Sequence, residues 1–405
     1  MRLAIGQLLL LTEIIAANFT YSVFDDLWKL RYPARKSHVR RQRAIPPTTP
    51  FPCEDAIRWG KSRFKPTSVH RLRPGDIDVV AAIGDSLVAG SGALEEFALG
   101  AFMEYRGVSW CAGGDATWRE FLTVPNILKE FNPNLRGYST GTGEWLTKNA
   151  KFNVAFPVAS DEDALKQAKI IVARMRASPE IDIDHDWKMI TVFIGANDIC
   201  SAACINTVAW SPTAHARKLA RALDYLQTHL PRTIVNLVPV LDVSVSVRVL
   251  RPVMCRLMHS LFCSCFHQGG NELEDIVRMG RLYQKAEFML VDSGRYDTRD
   301  DFTVVIQPFM RIFNAPFPPK PPLPLVIHQS YITHDCFHFS QKGHALAANL
   351  LWNNLLEPVG NKSDNVPPVL MHSFKCPKPE APFIFTAKNS REYLMYGRQE
   401  GAFEL

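Results

Sequence analysis

Three short stretches carry residue types suited to acyl-group chemistry. Gly84-Asp85-Ser86 ends an apolar run at 78–83, and Gly195-Ala196-Asn197-Asp198 ends another at 187–194. Asp335-Cys336-Phe337-His338 stands just ahead of a helical pattern, about 250 residues beyond the serine. A serine hydroxyl is a poor nucleophile until a histidine takes its proton, and that histidine needs a carboxylate to hold its tautomer and stabilise the imidazolium. Asp335 and His338 are three apart, so one turn or tight loop lets their side chains hydrogen-bond. Ester cleavage also needs donors aimed at the developing oxyanion. The backbone N–H of Ser86 at a helix start and the side-chain amide of Asn197 on the neighbouring strand fit that role. Ser86, Asp335 and His338 are therefore the expected catalytic residues.

Each stretch alone also reads as an ordinary turn or helix cap, because the same residue types dominate both. Their joint occurrence, each at a strand end or before a helix, favours the chemistry. No G-x-S-x-G is present, which excludes the nucleophile elbow of α/β-hydrolases. A rival reading makes His334 and His338, with Asp335 beside them, a metal site, but no third histidine or carboxylate motif completes it. Gly141-Thr142-Gly143 is too short for a phosphate loop. No metal or cofactor is expected.

These residues must be positioned by regular elements. Strands are expected at 78–83, 152–156, 187–194, 233–240 and 302–307, each nearly all apolar, as parallel strands covered on both faces should be. Between them, 161–177 steps Leu165, Ala168, Val172 and Met175 by threes and fours behind Ser160 as N-cap, with Asp163 in the capping-box position. In 212–230, Leu219, Leu223, Leu226 and Leu230 repeat the spacing behind Ser211 and Pro212. A last helix over 340–356 is capped by Ser340. This βαβα alternation predicts an α/β fold, a three-layer sandwich with a parallel sheet and helices on both faces. Ligands of such folds bind at the carboxyl edge of the strands. The segment 100–150, rich in glycine and aromatics, reads as an excursion able to form a substrate wall.

With 405 residues, 47% of them apolar, the chain can bury one large core. The net charge of +6 is accounted for by residues 31–43, "RYPARKSHVRRQR", six cations without an acid. The rest is neutral, so a nucleic-acid face is unsupported. Residues 1–17 read as a signal peptide, with a retained signal anchor as the alternative, and 18–52 as a basic, Pro-rich linker or pro-segment in which Arg40-Arg41-Gln42-Arg43 fits a processing site. A catalytic domain over 53–390 and a tail over 391–405 follow. Nine cysteines suggest disulfides in a secreted protein, and the odd count leaves at least one unpaired. Cys200 and Cys204 are close enough to bridge locally; the other pairings stay open, and Cys336 reads as a disulfide partner rather than a nucleophile. Asn18-Phe19-Thr20 and Asn361-Lys362-Ser363 are glycosylation acceptors. Leu250, Val253, Met254, Leu257, Met258, Leu261 and Phe262 form a helical stripe that suits a core or lid helix, or a lipid surface. "PFPPKPPLP" at 316–324, with six prolines, makes a stiff loop.

"GDSLVAGSGA", "FIGANDIC" and "DCFHFSQKGHALAANLLWNNLLEPVG" resemble blocks I, III and V of the GDSL, or SGNH, hydrolases. Longer stretches, including "SWCAGGDATWREFLTVPNILKEFNPNLRGYST" and "SGRYDTRDDFTVVIQPF", are similar to the animal phospholipase B/lipase branch and extend the likeness over roughly 50–390. The resemblance implies a metal-independent serine esterase acting on acyl esters of phospholipids and lysophospholipids through Ser86, Asp335 and His338. The phospholipid or lysophospholipid substrate is expected at a membrane or micelle surface, and the protein is expected to be a monomer with no nucleic-acid partner. In the family a block II glycine gives the oxyanion a third N–H; here that place is Val158, whose branched side chain is expected to resist positive φ and crowd the site. That departure motivates the alternative of a catalytically impaired lipid-binding homologue; another alternative is an esterase for some other small ester. Larger family members carry several repeats and a C-terminal span; this chain shows one unit and no such span, and is expected to be soluble unless its N-terminal segment stays.

Overall fold

The structure, a computed structural model, describes residues 38–248, 255, 256, 259, 263–267, 272–318 and 327–402. The expected signal peptide, the Asn18 acceptor, residues 31–37 of the basic run, the apolar stripe from Leu250 to Phe262 and the loop residues from 319 onward lie outside them. The chain divides into Met1–Val39 and Arg40–Leu405, and the second unit holds the fold.

Four strands, β1 (Val79–Gly84), β2 (Lys188–Phe193), β3 (Thr233–Leu237) and β4 (Phe302–Ile306), form a parallel sheet in that spatial order. Every strand residue is buried, the condition that makes such strands read as unbroken apolar runs. Because side chains alternate along a strand, Val79, Ala81 and Ile83 enter one core cluster while Val80 and Ala82 enter another. On the first face lie α3 (Ala164–Ala177) and α5 (Pro212–His229). On the second lie the short α1 (Ser86–Ala89), α2 (Val124–Phe131) and α7 (Gln341–Leu355). A smaller cluster joins α4 (Ala196–Ser201) to α6 (Glu272–Asp292), and α8 (Ala387–Ala402) follows near the end of the chain.

The expected caps are in place. Ser160 and Asp163 bond reciprocally ahead of α3, Ser211 Oγ accepts from Ala214 N at 3.3 Å, and Ser340 Oγ accepts from Gly343 N at 3.1 Å. The leucines expected on one face of α5, Leu219, Leu223 and Leu226, are fully buried. Truncating one to alanine costs about 2–5 kcal/mol.

Other expectations are corrected. Residues 152–156 are not a strand: they touch the β1 edge through one bridge, Ala82 with Asn153, held by Ala82 N to Phe152 O and Val154 N to Ala82 O at 3.0 and 3.1 Å. Pairing stops there, and Pro157, without an N–H, follows one residue beyond the run. The 100–150 excursion contains α2 and packs under α1, with Trp110 Nε1 donating to Leu87 O and Ser109 Oγ to Val88 O at 3.0 and 2.6 Å.

Cys200 and Cys204 do not bridge each other. Cys200 on α4 and Cys204 in the turn after it pair instead with Cys263 and Cys265. Cys53–Cys376 and Cys255–Cys336 complete four disulfides, leaving Cys111 as a buried thiol. The Pro-rich stretch after Arg43 is largely exposed, yet Phe51 sits in the core.

Candidate active site

β1 delivers its last residues to the sheet's carboxyl edge, where Gly84 is required by close approach: a Cβ there would lie 2.4 Å from Val88 Cγ2 and 2.7 Å from Phe193 O. Gln167 of α3 grips this strand end, its Oε1 accepting Gly84 N and its Nε2 donating to Gly84 O at 2.9 and 2.8 Å. Asp85 is extended and caps α1, accepting Leu87 N at 2.9 Å. Burial pushes its carboxyl up to about 6. Ser86 then occupies the first helical position, where the N–H has no acceptor within the helix. Gly90, left-handed at φ 81°, ends the helix after one turn.

The other chemistry comes from the loop before α7, which Thr333 N to His338 O (2.9 Å) and the Ile332–Phe339 bridge close into a tight hairpin. Asp335 is wholly buried. Its Oδ1 accepts Phe337 N and His338 N at 2.9 and 3.1 Å, and also the Thr333 hydroxyl. Burial alone would raise this carboxyl, but His338 and these donors outweigh it and hold it far below the usual carboxylate range. Its Oδ2 is 2.5 Å from His338 Nδ1, and His338 Nε2 is 2.9 Å from Ser86 Oγ. The carboxylate claims the Nδ1 proton, so the lone pair on Nε2 faces the serine hydroxyl. Ser86, His338 and Asp335 thus form one continuous hydrogen-bonded chain.

Asn197 lies in the first turn of α4 at the same edge, since Gly84 of β1 pairs with Phe193 of β2. One proton of its amide is committed to Ala159 O at 2.9 Å. Val158 adopts φ 63°, the conformation a glycine would take, and its side chain is 74% exposed. The expected crowding is therefore absent: the branched side chain points to solvent, and its cost is backbone strain of about 1–2 kcal/mol.

Other partners had no signal in the sequence. Arg40, read as linker, donates from Nε to Ile332 O at 2.9 Å and from Nη1 to His334 Nε2 at 3.1 Å, so it clamps the hairpin that carries Asp335 and His338. His334 is pushed down to about 4 by burial and by that guanidinium. Its Nε2 lone pair points at Arg40, which removes it from the metal pairing with His338. Among the described residues no group of three or more His, Cys, Asp or Glu is arranged to hold a metal. Gln42 ties the next residues down, its N–H donating to Gln341 Oε1 at 2.5 Å and its Nε2 to Trp118 O at 3.0 Å. His344, pushed down to about 3 by burial and by His338, accepts Trp110 N at 3.3 Å.

A hydroxyl, an imidazole and a carboxylate in line at the carboxyl edge of a parallel sheet, with an asparagine amide from the helix that follows the adjoining strand, define a hydrolase of the SGNH type. The family model for GDSL-like lipase/acylhydrolases matches residues 80–351, and the chain belongs to that family. It is 40% identical over 367 residues to "Phospholipase B1, membrane-associated" of Mus musculus, covering 89% of this chain and 24% of that protein. The Homo sapiens protein of the same name is 40% identical over 389 residues (92% and 25%), and that of Rattus norvegicus 42% over 350 (84% and 24%). The chain thus spans about a quarter of the length of these relatives.

Proposed function

We propose that this chain is a serine esterase that hydrolyses acyl esters of phospholipids and lysophospholipids. The carrying observation is the chain Ser86 Oγ, His338 Nε2, His338 Nδ1, Asp335 Oδ2, at 2.9 and 2.5 Å. Ser86 Oγ attacks the ester carbonyl carbon while its proton passes to His338 Nε2. Asp335 stabilises the resulting imidazolium without taking the proton. The N–H groups of Ser86 and Val158 and the amide of Asn197 hold the oxyanion. His338 returns the proton to the departing glycerol oxygen, leaving an acyl-Ser86. Water, deprotonated by the same histidine, then attacks the acyl carbon, and His338 returns that proton to Ser86 Oγ as the acyl–oxygen bond breaks and the fatty acid leaves.

Similarity to proteins named phospholipase B1 supports the lipid substrate. Four disulfides favour an oxidising compartment, and with it secretion behind the N-terminal segment. Among the described residues no helix is long and apolar enough to cross a membrane. We read the protein as a monomer that meets its substrate at a membrane or micelle surface, without nucleic acid.

The test is fatty-acid release from a phosphatidylcholine, its lysolipid and a short-chain ester, side by side. Turnover of both lipids is expected. Hydrolysis of the short ester alone would overturn the lipid assignment, and no hydrolysis of any would overturn the esterase itself.

A further inference from the structure

A second cluster of titratable groups lies behind the oxyanion donors, with its imidazole and two of its carboxylates out of solvent. His215 of α5 is 0% exposed, with Nδ1 3.1 Å from Asp161 Oδ2 and Nε2 3.2 Å from Glu287 Oε1. Both ring nitrogens face carboxylates, an arrangement that an imidazolium satisfies by donating on both sides. Lys218 Nζ reaches the other oxygen of Asp161 at 2.7 Å, which balances two carboxylates with two cations. Tyr283 of α6 stacks on the imidazole at 4.3 Å and donates its hydroxyl to Trp210 O.

Two carboxylates of this cluster lie within three residues of an oxyanion donor. Asp161 stands three after Val158, and its own N–H is shared by both oxygens of Asp198 at 3.2 and 3.1 Å. Asp198 follows Asn197 directly. Gly195, two before Asn197, is left-handed at φ 124°, and a Cβ on it would fall 2.9 Å from His215 Cε1. The turn that presents Asn197 therefore rests on the imidazole ring. Glu287 accepts Val240 N at 3.0 Å and ties the cluster to the chain just beyond β3.

We propose that His215 is a positioning residue for the oxyanion hole: as a buried cation between Asp161 and Glu287 it locks the Val158–Asp161 segment against the Gly195–Asp198 turn. This rests on the esterase reading above. Burial alone would lower the imidazole, but the two carboxylates outweigh it and lift it to about 9. Burial and the charge of Asp161 push Asp198 upward, so it adds no full charge at neutral pH. Lys218 also faces Glu162 at 3.4 Å, and Tyr283 is pushed above its ordinary value by burial and the nearby carboxylates.

The experiment is a double-mutant cycle on a short-chain soluble ester. His215→Gln, which cannot donate from both sides of its amide, is expected to lower kcat about 10- to 100-fold with KM within about threefold, the scale of a small misplacement of catalytic groups. Because His215 acts through Asn197, the cost of Asn197→Ala shrinks in the His215→Gln background, so the double variant falls well short of the product of the two losses. Multiplicative losses, or an unchanged kcat in a folded His215→Gln protein, would overturn the inference. Should His215→Gln not fold, the wild-type profile decides: kcat is expected to drop between pH 8 and about 10 while circular dichroism stays native, and a flat profile overturns it. Failure of the esterase reading would show separately, as full turnover by Ser86→Ala.

Discussion

Two histidines in this molecule each sit beside a buried aspartate, and their second nitrogens face opposite kinds of partner. His338 has Asp335 at 2.5 Å on Nδ1 and a hydroxyl on Nε2 at 2.9 Å, so one nitrogen remains able to take a proton. His215 has a carboxylate on each nitrogen, at 3.1 and 3.2 Å, so neither does. In the proposed mechanism one side chain serves as a base, and in the proposed positioning role the other serves as a fixed charge, although both are buried. An aspartate–histidine pair is thus defined by what stands on the second nitrogen. Exposure does not separate them, since His338 is only 6% exposed.

The contrast breaks hardest at His338. His338→Gln keeps the size but loses the base, and kcat on any ester should fall by about 10⁶, near the uncoupled limit for triads of this kind. Asp335→Asn leaves the imidazole in place with the wrong tautomer, for a loss of about 10⁴. Steady-state turnover of a chromogenic ester measures both, and a loss under tenfold in either variant contradicts the base and orienting roles of these two residues. Asn197→Ala removes an oxyanion donor and should cost about 10²–10³ in kcat.

His215 shows itself in stability rather than proton transfer. Its pKa rises from 6.5 to about 9 on folding, so its contribution is complete below pH 6.5 and is lost as pH climbs through 9. That shift corresponds to about 3 kcal/mol. Urea unfolding should therefore show stability declining between pH 6.5 and 9.5, and His215→Gln should lack that limb. The smallest effect is expected from Val158→Gly. Relief of left-handed strain is about offset by glycine's entropy, leaving a net change of under about 1 kcal/mol and kcat within about threefold. A tenfold rise in kcat would instead show that valine impairs the site.

What the sequence revealed follows the same division. Ser86, Asp335 and His338 were legible because their chemistry tolerates few residue types and each ends or precedes a regular element. The strands and capped helices were legible from periodicity and from Ser160, Ser211 and Ser340. His215 was not, because its partners come from two elements distant in sequence, the turn ahead of α3 and α6, and Asp161 is hidden beside Asp163, whose capping role has a sequence signature. Disulfide pairing was equally closed: Cys200 and Cys204 suggest a local bridge by spacing, and only the approach of Cys263 and Cys265 redirects them. Arg40 lay within a basic run whose composition says linker, and the carbonyl of Ile332 that holds it is 292 residues away.

The central claim is that Ser86 is a nucleophile activated by His338. Treating the wild-type protein with a fluorophosphonate and mapping the adduct by mass spectrometry tests it most directly. A single phosphonyl group on Ser86, formed at least about a thousandfold more slowly in a folded His338→Gln variant, is the predicted result. An adduct on another residue, or equal labelling rates in the two proteins, would contradict it.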